Sequence, residues 1–248
     1  MTEPSTIEQL WDEKYSEADR VWSGEPNGAL VDEVADMVPS RVLDVGCGEG
    51  ADAVWLALRG WEVTALDVSS VALARAERAA ATAGATVRWL HAGLLDAELP
   101  VDGFDLVVAL YPALLKTADH EAEGALLAAV APGGTLVFVH HDVFGTPPAG
   151  STVPPLAGDP GHGHHHGHGE GHGAQTSHDH NGPDGPGGGD GPAFTPADFV
   201  GVEDLRLFLQ GRSDRWQIDT HEQRARNISG GAGAHHSQDV ILRARRLV

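Results

Sequence analysis

Three alternating glycines and two acids, each acid at or near the end of an apolar run, are the residues of this sequence best placed to do chemistry. The first apolar run leads through Asp44 into a turn with glycine at positions 46, 48 and 50. A second apolar run, residues 61–66, ends in Asp67. A strand, a glycine-rich turn, a helix and a second strand that ends in an acid form the first half of a nucleotide-binding α/β sheet. The spacing therefore predicts a site for an adenosine-containing cofactor.

The spacing of the glycines discriminates between kinds of nucleotide site. A dinucleotide fold carries Gly-x-Gly-x-x-Gly, with the third glycine inside the helix, whereas here a single residue separates Gly48 from Gly50. No Gly-Lys-Ser or Gly-Lys-Thr follows, which excludes a triphosphate P-loop. Glu49 would repel a diphosphate at the helix N-terminus. It is tolerable beside a cofactor that has no diphosphate. A nicotinamide oxidoreductase is thus a disfavoured alternative, which NADH fluorescence on binding would revive.

The stretch Asp-Val-Gly-Cys-Gly-Glu-Gly resembles the glycine-rich motif of class I S-adenosylmethionine-dependent methyltransferases. In that family the backbone of the turn lies against the methionine and ribose part of the cofactor, where a Cβ would block the approach. The resemblance implies that Asp44 and the backbone at Gly46 and Gly48 face the aminoacyl end. It also implies that Asp67 accepts hydrogen bonds from both ribose hydroxyls, since a carboxylate can take two donors at once. Further cofactor contacts are expected at Val68, Gly93, Leu94 and Leu110.

The adenine end departs from the family pattern at one position. The family often places an acid near the position of Gly93, to take the adenine amino group, and this chain has glycine there. Either Asp96 substitutes for that acid or the backbone binds adenine alone.

Two segments near the N-terminus resemble the opening part of the tellurite-resistance and thiopurine S-methyltransferase-like branch. They read Trp11-Asp12-x-x-Tyr15 and Val21-Trp22-Ser23-Gly24. In such proteins an N-terminal helix and loop close over the cofactor, so the resemblance implies cofactor contacts by Tyr15 and Trp22. Thiol, thiopurine-like or metalloid acceptors follow from this resemblance alone. A net charge of −20 disfavours an anionic acceptor such as tellurite.

Polar residues at the ends of the fourth and fifth predicted strands are the candidates for catalysis. Tyr111 follows the fourth strand, and His140 and His141 end the fifth. The carboxyl ends of strands in an open α/β sheet form the ligand crevice, and histidine near neutrality can deprotonate a substrate or hold a metal. A wall position for Tyr111 and solvent-facing histidines are the alternatives. A soft sulfur, selenium or tellurium nucleophile can react without a base, whereas an oxygen or amine nucleophile often needs one.

A histidine-rich stretch within residues 145–193 is a candidate metal-binding segment. Imidazoles near carboxylates suit Ni²⁺, Zn²⁺ or Cu²⁺, but irregular spacing specifies no single geometry. The alternative is a permissive loop that grew by repeat expansion. A Ni- or Zn-binding protein on a vestigial methyltransferase fold is therefore a second functional hypothesis, against which the intact glycine turn and Asp67 argue. The candidate ligands are His162, His164, His165, His166, His168 and His172.

The strands and helices that must position these residues alternate along the chain. Predicted strands cover residues 41–45, 61–66, 86–91, 104–110, 134–140, 214–223 and 237–244. Predicted helices cover 6–17, 28–37 after a cap at Asn27, 51–59, 69–83, 119–130, and a stretch from Pro196 through Leu209 that Thr195 caps. This alternation predicts an α/β, Rossmann-like, doubly wound sheet. By resemblance to the family it is seven-stranded and mostly parallel, with one antiparallel edge strand, and is preceded by N-terminal helices.

One methyltransferase domain is expected over residues 1–248. It divides into an N-terminal helical cap (1–39), a cofactor-binding core (40–144), a His/Gly/Pro-rich insertion (145–193), and a last helix with two strands (194–248). The insertion is expected to be disordered, because it has too few large apolar residues to offset the entropy of ordering its backbone.

Charge and composition exclude several classes of partner. The chain has 36 acidic against 16 basic residues, so no phosphate-tracking face for nucleic acid or an anionic membrane is expected. No apolar run approaches the roughly 20 residues of a membrane span, and the N-terminus shows no signal region. One cysteine, Cys47, excludes an internal disulfide. These features predict a cytoplasmic protein that acts on a small-molecule acceptor, and they leave its oligomeric state open.

Overall fold

A computed structural model describes residues 6–141, 194–226 and 237–248 of the chain. Its helices are α1 (Thr6–Ser16), α2 (Gly28–Glu33), α3 (Ala51–Leu58), α4 (Ser70–Ala83), α5 (Glu121–Ala129) and α6 (Val202–Gln210). Its strands are β1 (Arg41–Val45), β2 (Glu62–Asp67), β3 (Val87–His91), β4 (Phe104–Leu110), β5 (Val130–His141), β6 (Trp216–Ala225) and β7 (Gln238–Arg246).

The strands form one seven-stranded sheet in the order β3-β2-β1-β4-β5-β7-β6. The first five strands are mutually parallel, and β7 pairs antiparallel with both β5 and β6. The predicted mostly parallel α/β sheet is confirmed, with the antiparallel strand one place in from the β6 edge. Strand order reverses between β1 and β4, and ligands in such sheets bind at the carboxyl ends of the strands on either side of that point.

Apolar side chains cover both faces of the central strands. Successive residues of a strand face opposite sides, so Leu43 packs in the core with Leu126 of α5 and Leu205 of α6. Its neighbour Val42 packs in a second core on the other face, which includes Leu56 of α3. All five of these side chains are fully buried. The doubly covered sheet holds the carboxyl ends of β1, β2, β4 and β5 in fixed positions. None of the described helices is both long and apolar enough to cross a bilayer.

The predicted helix from Pro196 through Leu209 is wrong in its first half. Residues Pro196–Asp198 form a single 3₁₀ turn, and Phe199 is extended, with φ −102° and ψ 150°. Phe199 bridges to Leu115, and the N–H of Val200 donates to the carbonyl of Leu114 at 2.7 Å. This pairing with a distant segment satisfies backbone groups that a continuous helix would have used internally, so α6 begins only at Val202.

The second predicted helix is shorter than expected. α2 ends at Glu33, and residues 34–36 are turns. Asn27 stands at the N-cap position, but its side chain caps no helical N–H. Its amide nitrogen instead donates to Asp52 Oδ2 at 2.6 Å, and its backbone N–H donates to Asp52 Oδ1 at 2.7 Å. Ser69 caps α4, since its hydroxyl accepts from the N–H of Ala72 at 3.1 Å.

The third glycine of the turn has a steric reason to be glycine. Gly50 has φ +81°, and a Cβ there would lie 2.6 Å from the Cβ of Ala76 and 2.9 Å from Cη2 of Trp89. The turn, α4 and β3 therefore meet at a point where only a hydrogen atom fits.

We expect Gly50→Ala to destabilise the fold more than Gly84→Ala. Both glycines have positive φ, but nothing lies within 4 Å of a Cβ at Gly84. Left-handed strain alone costs about 1–2 kcal/mol, and overpacking at Gly50 adds about 1–3 kcal/mol. Urea unfolding of the two variants measures the difference. Equal losses of unfolding free energy would contradict the steric argument.

Candidate active site

A cavity of about 990 Å³ lies at the carboxyl ends of β1, β2, β4 and β5. Its volume suits a nucleoside-sized ligand together with a second small molecule. Most residues that the sequence singles out line it: Tyr15, Trp22, Gly46, Gly48, Asp67, Val68, Gly93, Leu94, Leu110, Tyr111 and His141. Two of the predicted residues with described positions, Asp44 and His140, do not line it.

Asp67 fastens the glycine turn to the end of β2. Its Oδ2 accepts from the N–H of Gly48, and its Oδ1 accepts from the N–H of Ser69, both at 2.8 Å. Burial raises the pKa of the Asp67 carboxyl, against which these two backbone hydrogen bonds act. A carboxylate has about four lone-pair sites, so Asp67 keeps acceptor capacity toward the cavity that it lines.

Asp44 is a buried carboxyl, and one of its two oxygens lacks a hydrogen bond in the part of the chain that the structure describes. It is 2% exposed, and its Oδ2 has no hydrogen-bond partner within the described ranges. Burial raises its pKa well above the usual value, and the charges of Asp52 and Asp67 add to the shift. Leaving such an oxygen unpaired is costly, and an ammonium group is a strong partner for it. Asp44 lies behind the cavity wall, so its negative charge, and not a direct contact, fits a ligand with a cationic aminoacyl end.

Asp96 lies beside Gly93, the position where an acid is expected from the family pattern. A Cβ at Gly93 would lie 3.1 Å from Oδ2 of Asp96 and 3.6 Å from Cγ1 of Val68. The Asp96 carboxyl therefore packs against this glycine, and Asp96 lines the cavity with Val68 and Leu94. The geometry favours Asp96 over the backbone alone as the polar group of this end.

The N-terminal segment covers the glycine turn through an aromatic pair. Tyr15 is 3% exposed, and its hydroxyl accepts from Nε1 of Trp22 at 2.9 Å. A Cβ at Gly48 would lie 2.8 Å from the same hydroxyl oxygen. Tyr15 and Trp22 thus contact the turn where the sequence predicts cofactor contacts.

Glu49 and Arg75 hold that segment in place, a role that sequence reasoning missed. Oε2 of Glu49 accepts from the backbone N–H of Trp22 at 2.9 Å and of Val21 at 3.2 Å. Nη1 of Arg75 donates to Oε1 of Glu49 at 2.8 Å, and Nη2 donates to the carbonyl of Tyr15. We call these contacts the Glu49–Arg75 latch. The only sequence signal was an acid in a turn where a phosphate-binding protein would avoid one.

A second anchor joins α1 to the start of α4. The carboxyl of Asp12 accepts from the hydroxyls of Ser69 at 2.6 Å and Ser70 at 3.1 Å, and from the N–H of Val71 at 3.3 Å. Partial burial acts to raise the pKa of Asp12, but the hydrogen bonds, led by that of Ser69, outweigh it and leave the pKa lowered. The cap is therefore fixed to the core at two places beside Asp67.

Tyr111 and His141 form the other end of the cavity, together with Asp239. The Tyr111 hydroxyl donates to Oδ2 of Asp239 at 2.9 Å, and its ring stacks on that of His141 with centroids 4.2 Å apart. The guanidinium carbon of Arg226 lies 4.8 Å from the centre of the Tyr111 ring. Burial raises the pKa of the Tyr111 hydroxyl, and the charge of Asp239 adds to the shift. His140 stands apart, since burial lowers its pKa to about 4 and it lines none of the cavity.

Sequence reasoning also missed Asp239, although a signal for it existed. β7 runs antiparallel to β5, so the first residues of β7 lie beside the last residues of β5, and Asp239 pairs with His141. A predicted antiparallel strand that begins near an acid therefore predicts an acid at the carboxyl edge of the sheet.

The predicted metal ligands His162, His164, His165, His166, His168 and His172 lie outside the described residues. Within residues 6–141, 194–226 and 237–248, no group of three or more His, Cys, Asp or Glu is arranged to hold a metal ion. Nickel or zinc binding therefore stays a prediction that no contact of the described residues supports.

Part of the chain is similar in sequence to known methyltransferases. Residues 42–134 match the family model described as a methyltransferase domain. An uncharacterized methyltransferase of Mycobacterium bovis is 45% identical over 112 residues, which are 45% of this chain and 55% of that protein. The chain thus spans little more than half the length of this curated relative.

Solved structures share the fold over nearly the whole chain. One comes from work on the conversion of a disulfide bond into a thioacetal group during echinomycin biosynthesis, with TM-score 0.64, 21% identity, and coverage of 97% of this chain and 92% of that one. Another is the 1,6-didemethyltoxoflavin-N1-methyltransferase of Burkholderia thailandensis with its bound substrate and S-adenosylhomocysteine, with TM-score 0.58, 14% identity and coverage of 100% and 92%. At these identities the likeness concerns the fold.

We expect Glu49→Gln to loosen the N-terminal cap. The neutral amide accepts a weaker hydrogen bond from Trp22 and loses the ion pair with Arg75. The free energy needed to open the cap should therefore fall by about 2 kcal/mol, which raises the open population roughly 30-fold. Limited trypsin cleavage within residues 17–24 measures that population. Glu77→Gln, an exposed position on α4, is the matched control. Equal cleavage rates in the two variants would show that the latch does not hold the cap.

We expect Asp44→Asn to stabilise the cofactor-free protein at alkaline pH. A carboxyl whose pKa is raised on folding binds protons more tightly in the folded state, so its ionisation lowers stability as pH rises above the ordinary carboxyl range of about 4. The variant should therefore melt higher than the wild type near pH ~8, by a margin that shrinks toward pH ~5. Thermal unfolding across this range checks it, with exposed Asp36→Asn as control. A margin that is constant with pH would contradict a raised pKa.

Proposed function

We propose that this chain is a class I S-adenosylmethionine-dependent methyltransferase, which binds S-adenosylmethionine in its cavity and transfers the methyl group to a small-molecule acceptor. One observation carries the proposal: the Gly46–Gly50 turn is tied to Asp67 at the end of β2, next to the buried oxygen of Asp44. A ligand at this place can approach the backbone of the turn closely and can donate hydrogen bonds to the Asp67 carboxylate. The unpaired oxygen of Asp44 lies next to it.

Each part of the cofactor has residues of matching chemistry. We assign the aminoacyl end to the backbone at Gly46 and Gly48, with the charge of Asp44 acting on its ammonium from behind the cavity wall, and the ribose hydroxyls to Asp67. The adenine ring is assigned to the pocket of Val68, Leu94 and Asp96. When bound, the cofactor supplies an activated methyl group on a sulfonium. The chain's own residues align it and exclude water, for which the cap with Tyr15 and Trp22 is suited.

Electrostatics favour this cofactor over its demethylated product. The chain carries a net charge of −20, and Asp44, Asp52 and Asp67 are all buried near the turn. A sulfonium adds a positive charge that the neutral thioether lacks, so the acidic surroundings attract the substrate form more strongly. Release of the product after transfer is eased by the same field.

The acceptor is proposed to be small because the cavity is nearly filled by a nucleoside-sized ligand and one further small molecule. The Burkholderia thailandensis enzyme, which holds 1,6-didemethyltoxoflavin, acts on such a molecule. Assignment to the tellurite-resistance and thiopurine branch rests on the two N-terminal segments alone. A cytoplasmic location suits a chain whose single cysteine is part of the turn.

We expect calorimetry to show micromolar binding of S-adenosylmethionine, which Asp67→Ala abolishes. The variant loses the ribose acceptor and the hydrogen bond to Gly48 together. Asp67→Asn keeps one acceptor oxygen and should weaken binding by about tenfold or more, through loss of charge-assisted bonds. Exposed Asp36→Ala is the control. A folded wild-type protein that binds neither S-adenosylmethionine nor S-adenosylhomocysteine would overturn the proposed function.

A further inference from the structure

Asp239 is built into the carboxyl edge of the sheet as a fixed acceptor. It is 4% exposed, and its two oxygens face different partners. Oδ2 accepts from the Tyr111 hydroxyl at 2.9 Å and lies 3.8 Å from Nε of Arg226, while Oδ1 lies 3.5 Å from Nδ1 of His141. Of these four residues, Tyr111, His141 and Arg226 line the cavity and Asp239 stands behind them.

This arrangement orients the His141 ring. A carboxylate beside Nδ1 favours the tautomer with hydrogen on Nδ1, which makes Nε2 the basic nitrogen. The Tyr111 ring, stacked at 23° on the imidazole, limits rotation of its plane. A histidine that lines a cavity, with a buried carboxylate as orienter, is the arrangement used to activate protic nucleophiles.

We propose that His141 is the general base of the reaction, that Asp239 positions it, and that the acceptor is a molecule with an O–H or N–H nucleophile. The inference rests on the proposed methyl transfer and specifies what that site acts on. A thiolate or a metalloid nucleophile needs no such base, so a buried carboxylate–histidine pair would serve no purpose toward it.

The proton and electrons balance without a further reactant. The acceptor's O–H or N–H proton passes to Nε2 of His141 as the lone pair of that oxygen or nitrogen forms a bond to the methyl carbon. The electron pair of the broken carbon–sulfur bond stays on sulfur, which gives S-adenosylhomocysteine, methylated acceptor and an imidazolium that returns its proton to solvent.

The described titratable groups around His141 come from four parts of the fold. Asp239 on β7 favours the imidazolium, and Arg226, after β6, opposes it. His140, the preceding residue on β5, is neutral near pH 7 because burial lowers its pKa to about 4. Tyr111, after β4, adds no charge, since burial and Asp239 raise its pKa and its hydroxyl already donates to Asp239. Tyr111 is therefore a positioning residue and not a second base.

The test compares acceptor classes with the full-length protein. Wild type, His141→Gln and His221→Gln are assayed with S-adenosylmethionine against matched panels of small phenols, N–H heterocycles and thiols. His221 is exposed on β6 and is the control histidine. We expect methylation of a phenol or N–H heterocycle, a loss of about 100-fold or more in His141→Gln, and wild-type rates in His221→Gln.

Two readouts separate this inference from the proposed function. S-adenosylmethionine affinity, measured by calorimetry, should be unchanged in His141→Gln, because the base does not hold the cofactor. The wild-type rate should rise with pH on a limb that His141→Gln abolishes. Cofactor binding with methylation confined to thiols, or with a protic acceptor whose rate and pH profile survive His141→Gln, would overturn the inference and leave methyl transfer standing.

Asp239→Asn tests positioning. Loss of the carboxylate removes the charge that favours the imidazolium, so the pH limb should move to lower pH while the rate falls. A merely structural role would lower the rate without moving the limb. Asp105→Asn changes a half-buried aspartate whose Oδ2 accepts from the Ser40 hydroxyl; it is the matched control and should leave the limb in place.

Discussion

The two hydrogen bonds of Asp67 are the contacts on which the rest of the site depends. They join the glycine turn after β1 to the start of α4. One of them holds Ser69, whose hydroxyl donates a hydrogen bond to Asp12 and so anchors α1 to the core. The glycine turn also places Gly48 against Tyr15, and Glu49 against the loop before α2. One carboxylate at the end of β2 thus sets the position of the cofactor turn and of the cap that covers it.

The same region concentrates unfavourable charge. Asp44, Asp52 and Asp67 are all buried, and burial raises the pKa of each. Asp52 is compensated by two hydrogen bonds from Asn27, and Asp67 by its backbone donors, but Asp44 keeps an oxygen without a partner within the described ranges. Active sites hold such strained groups where a ligand relieves them. A cationic ligand bound beside the turn would relieve part of this unfavourable negative charge.

Local signals in the sequence were enough to predict the sheet and to place Gly46, Gly48 and Asp67 together at one cavity, since their positions follow directly from a strand–turn–helix–strand unit. Features made by distant pairs were not predictable in this way. Glu49 gains its role from Arg75 and from the loop before α2, and Phe199 leaves the helix because Leu115 pairs with it. Neither interaction has a periodic or local pattern, because each depends on where the folded sheet brings separate segments.

The direction of β7 explains why the acceptor end was harder to see than the cofactor end. A parallel strand contributes its last residues to the carboxyl edge, whereas the antiparallel β7 contributes its first, so Asp239 reaches His141 from far along the chain. The proposed ribose acceptor therefore lies at the end of β2, whereas the proposed acceptor residues follow β4, end β5 and begin β7, on the other side of the point where strand order reverses. Because Asp67 and the β5–β7 edge share no side chain, substitutions at that edge leave the Asp67 contacts with Gly48 and Ser69 intact. The physical separation of the two ends is what allows one sheet to serve many acceptors.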